Sequence, residues 1–163
     1  MKKHKGIIIC GFPGVGKSYA AQRSPDIEDI ESTSFHYPIE WENINEPEKM
    51  RVEENPNWVR DYVDHIENMA SEYGYLYNLV SCHDKVREEL DARSIPYIIV
   101  VPSKNLKDEY LARYVKRGDS FNFISQIDTH WDEWLAEIEE SGMPVIHLRA
   151  GQTISEILPI LPR

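Results

Sequence analysis

Residues 11–18 read Gly11-Phe12-Pro13-Gly14-Val15-Gly16-Lys17-Ser18 and match the pattern G-x-x-x-x-G-K-[ST]. In this pattern the glycines let backbone N–H groups turn inward around phosphate oxygens, and the following helix points its positive end at them. Lys17 then reaches the terminal phosphates, and the Ser18 hydroxyl is placed to ligate Mg²⁺. The stretch therefore predicts a nucleotide-phosphate site, called the P-loop below.

The P-loop stands in the sequence context that it requires. Gly6–Cys10 is a short apolar run typical of a buried strand, and Ser18–Arg23 predicts a brief helix directly after the loop. A glycine-rich turn that merely ends a core strand is the alternative, and the strand-loop-helix context favours the phosphate site. The residues predicted to bind ATP are Pro13, Gly14, Val15, Gly16, Lys17, Ser18 and Tyr19.

Apolar runs alternate with helix-period stretches along the rest of the chain. Further strands are predicted at Asp26–Ile30, Leu76–Ser81, Tyr97–Val101 and Val145–Leu148, and helices at Trp58–Tyr73, His83–Ala92, Lys104–Arg117, Ser120–Glu140 and Ile154–Leu161. This alternation predicts an α/β fold, the three-layer P-loop NTPase fold, with a five-stranded, mostly parallel sheet and helices on both faces. The length of 163 residues predicts a single domain, 1–163.

Charge and composition exclude several classes of function. A formal net charge of −10 disfavours binding to duplex nucleic acid, which rests mainly on Lys and Arg neutralising phosphates. No apolar run approaches the ~18 residues that a membrane-spanning helix needs, and the N-terminal basic stretch is not followed by a signal-peptide core. Cys10 and Cys82 lack metal-ligand spacing and belong to predicted buried strands or their ends. We therefore expect a cytoplasmic protein that acts on a small molecule.

The class of P-loop protein is narrowed by what the sequence lacks. Switch GTPases need an N-K-x-D stretch that reads the base, and the chain has none. Helicases and large ATPases usually carry an apolar strand ending in Asp, whereas the strand Tyr97–Val101 runs into Pro102-Ser103. The small size, the acidic second strand and the late basic helix favour a phosphoryl-transfer kinase.

Four stretches resemble the P-loop nucleoside monophosphate kinases, most closely the small phage-type deoxynucleoside monophosphate kinases. They are Gly11–Ser18, Asp29–Phe35, Asn55–Trp58 and Tyr110–Gly118. The resemblance implies Mg²⁺-dependent phosphoryl transfer from ATP to a nucleoside monophosphate, with a modified deoxypyrimidine such as hydroxymethyl-dUMP among the acceptors. It also implies an acceptor-binding segment at 36–57 and a lid at 104–118. A homodimer stays open, as do another small hydroxyl acceptor, a modified base in DNA and a non-catalytic NTP-binding module.

Arg113 and Arg117 are the candidates to join Lys17 in catalysis. They are four residues apart and so share one face of a predicted helix, in the most basic stretch of an acidic chain. The resemblance implies that such lid arginines close over the phosphates, and Gly118 after Arg117 favours a hinge. The alternative is a solvated helix face paired with neighbouring carboxylates.

Asp29 and Glu31 stand at the predicted carboxyl end of the second strand, where open parallel sheets bind ligands. One of them is expected to hold a magnesium-bound water or to orient the acceptor. The alternative is an ordinary exposed edge strand.

The remaining acceptor-binding candidates follow this strand. Ser32 offers a hydroxyl to phosphate or sugar, or else caps a turn, and Phe35 stacks on a base or else buries a loop. Arg51 and Arg60 are the candidate cations for an acceptor phosphate. His83, after the third strand, is interpreted as a helix cap.

Overall fold

The computed structural model describes residues 6–37, 53–71 and 74–160. Its five strands are β1 (Ile7–Gly11), β2 (Ile27–Asp29), β3 (Tyr77–Ser81), β4 (Ile98–Pro102) and β5 (Val145–Leu148). They form one sheet in the order β2-β3-β1-β4-β5, and every neighbouring pair is parallel. The predicted five-stranded parallel sheet is confirmed. Because all strands point the same way, their carboxyl ends share one edge of the sheet, with β1 and the P-loop at its centre.

The helices are α1 (Lys17–Arg23), α2 (Thr33–His36), α3 (Trp58–Met69), α4 (Asp84–Ala92), α5 (Lys107–Lys116) and α6 (Phe121–Glu140). Right-handed crossovers put α1 on one face of the sheet and α3 to α6 on the other. The packing agrees with this division, because α3 contacts α4, α5 contacts α6, and α1 contacts the C-terminal turns. None of the helices in the described ranges is both long and apolar enough to cross a membrane.

The predicted terminal helix is wrong. Residues 154–160 form two 3₁₀ turns, Ile154–Glu156 and Leu158–Ile160, instead of a continuous helix. Thr153 and Glu156 close the first turn with a capping box, and Pro159 cannot donate the backbone hydrogen bond that would continue it. A 3₁₀ turn of the same length, Lys104–Leu106, precedes α5 in the predicted lid stretch.

The acceptor-binding segment predicted at 36–57 is only partly described, since residues 38–52 lie outside the described ranges. Directly before it, α2 forms a single helical turn that the sequence pattern did not indicate. Tyr62 of α3 ties the ends of two strands together here. Its hydroxyl donates to the carbonyl of Ile30 and accepts a 3.0 Å hydrogen bond from the Ser81 amide. The end of β2 is thereby fixed beside the end of β3.

The core continues under the P-loop. Ile9 and Cys10 of β1 are fully buried, as expected for a strand covered on both faces. Phe12 packs edge-on against Trp131 of α6, with 5.5 Å between ring centroids, and both rings are buried. Each such ring contributes roughly 1.5–3 kcal/mol by burial, so this contact anchors the loop to the helix layer.

Candidate active site

The P-loop takes a backbone shape that demands glycine. Gly14 and Gly16 have φ values of 89° and 93°, in the left-handed region that side chains disfavour. A Cβ on Gly14 would lie 2.9 Å from Cε1 of Tyr114, so packing as well as backbone conformation requires glycine there. The Tyr114 hydroxyl also donates a 2.7 Å hydrogen bond to the Pro13 carbonyl. Helix α5 therefore packs on the P-loop and supports its backbone conformation.

Lys17 is held inside the loop that it is predicted to serve. Its Nζ donates a 3.0 Å hydrogen bond to the Gly11 carbonyl. Burial lowers the pKa of Lys17, and the nearby carboxylates of Asp29 and Glu31 oppose this shift. Among the described residues the ammonium group has this one hydrogen-bond acceptor, which a phosphate oxygen can replace at little net cost.

Ser18, Asp29 and Glu31 form one polar cluster. The Ser18 hydroxyl donates a 2.8 Å hydrogen bond to Asp29 Oδ2, while Asp29 Oδ1 is buried and has no hydrogen-bond partner among the described residues. The carboxyl of Glu31 lies close by, and its withdrawal from solvent and the Asp29 carboxylate both raise its pKa. Two adjacent carboxyl groups, one of which has a buried oxygen without a partner among the described residues, would be stabilised by a bound cation.

This cluster fits a magnesium site of the kind that nucleotides complete. Mg²⁺ usually keeps several waters and takes one or two protein oxygens plus substrate phosphates. Over the described parts of the chain, no group of three or more His, Cys, Asp and Glu side chains is placed to hold a metal alone. Ser18 and Asp29 are the residues that would hold the ion, with phosphate oxygens supplying the remaining charge.

The two predicted lid arginines take different positions. Arg113 donates 2.8 Å to the Gly14 carbonyl and 2.9 Å to Glu109 Oε2, and its guanidinium lies 4.3 Å from the centroid of the Tyr110 ring. Arg117 pairs with Asp119, and its charge acts on both Lys17 and Glu31. Arg113 therefore braces the P-loop, whereas the Arg117 guanidinium lies over the rings of Tyr114 and Phe123, and both arginines line the cavity.

A cavity of about 1750 Å³ opens beside the P-loop. It runs from the loop across the carboxyl end of β3 and between α4 and α6. Its lining includes Lys17, Ser18, Glu31, Ser32, His83, Arg87, Arg113, Arg117, Trp134 and Glu137. The space is large enough for two small ligands side by side.

The structure brings together some of the acceptor residues named from sequence and separates others. Glu31 and Ser32 line the cavity. Phe35 packs on Tyr62, at 5.3 Å between ring centroids, and is not among the described lining residues. Arg60 is also absent from that lining: it is 63% exposed on α3 and pairs with Asp61 at 3.4 Å. Arg51 lies outside the described residues.

The predicted His83 cap is confirmed. The His83 ring accepts a 3.1 Å hydrogen bond from the Lys85 amide at the start of α4. His83 also lines the cavity, so the cap leaves one side of the ring facing the ligand space.

Sequence reasoning missed Arg87, Trp134 and Glu137 as cavity residues. Arg87 is only 5% exposed, although isolated arginines are usually solvated. Its one sequence signal is its position three residues before the inward-facing Leu90, which places both on the same stripe of α4.

Comparisons with known proteins identify the fold. No protein-family model matches the sequence, and no curated protein matches it. Among solved structures, the chain is similar to the Deinococcus radiodurans tunicamycin resistance protein, at 18% identity and a TM-score of 0.57 over 95% of this chain and 91% of that one. It is also similar to a gluconokinase from Sinorhizobium meliloti 1021, at 17% identity and a TM-score of 0.53 over 98% and 90% of the two chains.

These two similarities cover nearly the whole of each chain. Neither protein is named as a nucleoside monophosphate kinase, so the phage-type resemblance gains no support from them. Together with the parallel sheet and the loop geometry, they show that this chain has the three-layer α/β fold of P-loop proteins.

Proposed function

We propose that this protein is a small-molecule kinase that transfers the γ-phosphoryl group of Mg-ATP to an acceptor bound in the cavity. The observation that carries the proposal is that Lys17, Ser18 and Arg117 line one open cavity, with Ser18 hydrogen-bonded to Asp29, which is itself not among the described lining residues. A pure nucleotide-binding module has less need for a cavity beyond the phosphates. The similarity to a gluconokinase supports the same class of reaction.

The proposed transfer needs positioning and positive charge more than covalent help. An acceptor oxygen forms a bond to the γ-phosphorus while the bond from that phosphorus to the β–γ bridging oxygen breaks, and ADP departs with the electron pair. Bound Mg²⁺ supplies charge neutralisation at the phosphates. Lys17 and Arg117 stabilise the negative charge on the transferring group, and the carboxylate of Glu31 accepts the proton that the acceptor releases.

The acceptor that the sequence resemblance favours is a nucleoside monophosphate, with a deoxypyrimidine nucleotide as the narrower expectation. Such an acceptor carries about two negative charges and needs its own cation. Among the described residues, the one candidate named for this from sequence, Arg60, points away from the cavity. A second candidate acceptor, a small hydroxyl compound without a phosphate, is favoured by the carboxylates that line the far part of the cavity.

The test is ADP production from Mg-ATP with a panel of acceptors. The panel contains ribonucleoside and deoxyribonucleoside monophosphates, hydroxymethylated pyrimidine nucleotides, nucleosides, hexoses, polyols and gluconate. Lys17→Ala is the blank, since it removes the cation at the terminal phosphates and should abolish transfer. We expect one acceptor class to stimulate the wild type and not the blank. Wild-type rates that match the blank with every acceptor would contradict the proposal.

A further inference from the structure

The far part of the cavity, between α4 and α6, differs chemically from the phosphate end. Here we call it the acceptor lobe, lined by Asp84, Arg87, Glu88, Glu133, Trp134 and Glu137. The acceptor lobe and the phosphate end belong to one continuous cavity, whose lining includes Lys17, Cys82 and Arg87. A ligand in the lobe can therefore reach the transferring phosphoryl group.

Arg87 and Glu137 join the two walls of the lobe. Arg87 Nη2 donates a 2.7 Å hydrogen bond to Glu137 Oε2, and Arg87 Nε donates a 3.1 Å bond to the Cys82 carbonyl. The two bonds fix the guanidinium plane, and the side chain is only 6% exposed. The hydrogen bonds of the described residues include none donated by Arg87 Nη1 and none accepted by Glu137 Oε1, and the Cys82 thiol is a further neighbour of the guanidinium.

Together the two side chains offer a ligand both hydrogen-bond donors and acceptors, with no net charge. A hydroxyl group both donates and accepts, so two neighbouring hydroxyls can satisfy the guanidinium N–H and the carboxylate oxygen together. An isolated phosphate or carboxylate would fit the guanidinium but would be repelled by the Glu137 carboxylate, which is half exposed on the lobe.

The rest of the lobe strengthens this preference. Asp84, Glu88, Glu133 and Glu137 supply carboxylates against the single guanidinium of Arg87, so the lining from α4 and α6 is acidic, whereas the other cations of the cavity, Lys17, Arg113, Lys116 and Arg117, belong to α1 and to α5 with the residue after it. An acceptor that carries a phosphate would enter against this field. Trp134 adds an aromatic wall, held in a stack with His130 at 4.9 Å between ring centroids. Such a wall suits the apolar face of a sugar ring.

We propose that Arg87 and Glu137 bind vicinal hydroxyl groups of the phosphoryl acceptor, and that this acceptor is an uncharged or cationic polyhydroxyl compound. The inference rests on the proposed kinase function and names its substrate class. Arg87 and Glu137 orient the acceptor, while Lys17, Arg117 and Glu31 act on the transferring group. The atoms exchanged are those of the transfer given above, with one hydroxyl of the acceptor as the attacking oxygen.

The first experiment compares acceptors that differ by one hydroxyl, uridine with 2′-deoxyuridine and glucose with 2-deoxyglucose, beside glucosamine, gluconate and the nucleoside monophosphates. We expect a vicinal diol without negative charge to be the best acceptor. Its kcat/KM should exceed that of its deoxy counterpart at least about 100-fold, because the deoxy compound leaves a buried donor unpaired. A phosphorylated or carboxylated best acceptor, or equal rates for diol and deoxy compounds, would overturn the inference.

The second experiment assigns the effect to the pair. In Arg87→Gln, the KM for the best acceptor should rise about 10-fold or more, while the KM for ATP changes less than about 2-fold. Glu137→Gln leaves a buried guanidinium unpaired, so the double variant Arg87→Gln/Glu137→Gln serves if the single one does not fold. Arg93→Gln is the matched control, because Arg93 also bridges α4 to a neighbouring helix, through Asp64 at 2.8 Å and Glu67 at 2.7 Å.

The two proposals fail in different ways. If only the inference is wrong, the wild type will still consume Mg-ATP. The Arg87 variants will then keep the wild-type KM for the acceptor, or will match Arg93→Gln. Loss of the kinase function would appear as wild-type rates that match Lys17→Ala with every acceptor, whether or not a fluorescent ATP analogue binds, and it would remove the inference as well.

Discussion

The Ser18 hydroxyl donates a 2.8 Å hydrogen bond to Oδ2 of Asp29, and this bond joins the first turn of α1 to the end of β2. The P-loop and the acidic strand end therefore meet at one point, although they are eleven positions apart in sequence. The other oxygen of Asp29 is buried with no partner among the described residues. A hydrated Mg²⁺ ion would satisfy that oxygen and draw on the Ser18 hydroxyl at once.

Removing the Ser18 hydroxyl should weaken the binding of Mg²⁺ at the site. For Ser18→Ala we expect the Mg²⁺ concentration for half-maximal activity to rise about 10-fold, as for other losses at a metal's supporting residues. Asp29→Asn should produce a similar rise, and the two changes should not add, because both residues serve one ion. The measurement is ADP production against free Mg²⁺ at fixed ATP.

Ser24→Ala provides the control for this series. Ser24 lies just after α1 and accepts a hydrogen bond from the Asp26 amide at 3.2 Å, and it is not among the described lining residues of the cavity. The Ser24→Ala variant should reach half-maximal activity at the same Mg²⁺ concentration as the wild type. An unchanged Mg²⁺ response in Ser18→Ala would remove Ser18 from the metal site.

Arg113 and Arg117 should separate in kinetics because they separate in space. Arg117→Ala removes a cation that lines the cavity and should lower kcat about 10³-fold with little change in ATP affinity. Arg113→Ala removes the brace on the Gly14 carbonyl and should raise the KM for ATP about 10-fold. The measurements are steady-state kinetics and equilibrium binding of a fluorescent ATP analogue.

Lys107→Ala is the matched charge deletion on the same helix, since Lys107 pairs with Asp128 at 2.7 Å, and it lies outside the described cavity lining. Its kinetics should follow the wild type. Near-native turnover in Arg117→Ala would show that this arginine does not act on the transferring group.

The positions of Arg113 and Arg117 could be predicted from the sequence only in part. Their common helical face was readable from their spacing, because a helix brings residues four apart together. The partner of Arg113 is the carbonyl of Gly14, 99 positions away, and no local pattern carries that information. The P-loop, in contrast, was readable in full because its chemistry depends on neighbours in sequence.

The burial of Arg87 in the acceptor lobe could not be predicted from the sequence either. A helix-period pattern assigns Val86 and Leu90 of α4 to the core, and an arginine between them is expected to reach solvent. It is buried because Glu137, 50 positions away on α6, supplies a carboxylate at 2.7 Å. The position of Asp29 was foreseeable for a more general reason, that ligands bind where parallel strands end.

Glu31 should make the folded protein lose stability as pH rises. Its pKa is raised above the ordinary 4.5 by partial burial and then by Asp29, so the folded state prefers the neutral acid. Below pH 4.5 Glu31 is protonated in both the folded and unfolded states. Above it the unfolded chain ionises first, and the free energy of unfolding falls until the folded pKa is passed.

Glu31→Gln should therefore raise the melting temperature at pH 8, and the gain over the wild type should vanish as pH falls towards 4.5. The measurement is thermal unfolding of both proteins from pH 4.5 to 8 without nucleotide or Mg²⁺. Glu140→Gln, at the end of α6, removes one carboxylate away from the cluster and should show no such pH-dependent gain. A gain of equal size at all pH values would contradict the assigned cause.

Gly14 and Gly142 share a backbone conformation but differ in their surroundings. An alanine substitution at each position therefore separates the cost of backbone strain from the effect on nucleotide binding. Their φ values are 89° and 78°, and a Cβ would meet Tyr114 at 2.9 Å on Gly14 but nothing within 4 Å on Gly142. Both alanine variants should lose about 1 kcal/mol of stability from the left-handed backbone. Gly14→Ala should lose more, since the ring of Tyr114 must shift.

Of the two variants, only Gly14→Ala should also bind nucleotide more weakly. A shifted Tyr114 pulls on the Pro13 carbonyl that its hydroxyl holds, and the loop's amides then no longer converge on the phosphates. We expect the Kd of a fluorescent ATP analogue to rise at least about 10-fold in Gly14→Ala and to stay at the wild-type value in Gly142→Ala. Thermal unfolding of the two variants measures the loss of stability, and titration with the fluorescent ATP analogue measures the effect on the P-loop. Equal ATP affinity in both would mean that the packing of Tyr114 on the loop does not shape the phosphate site.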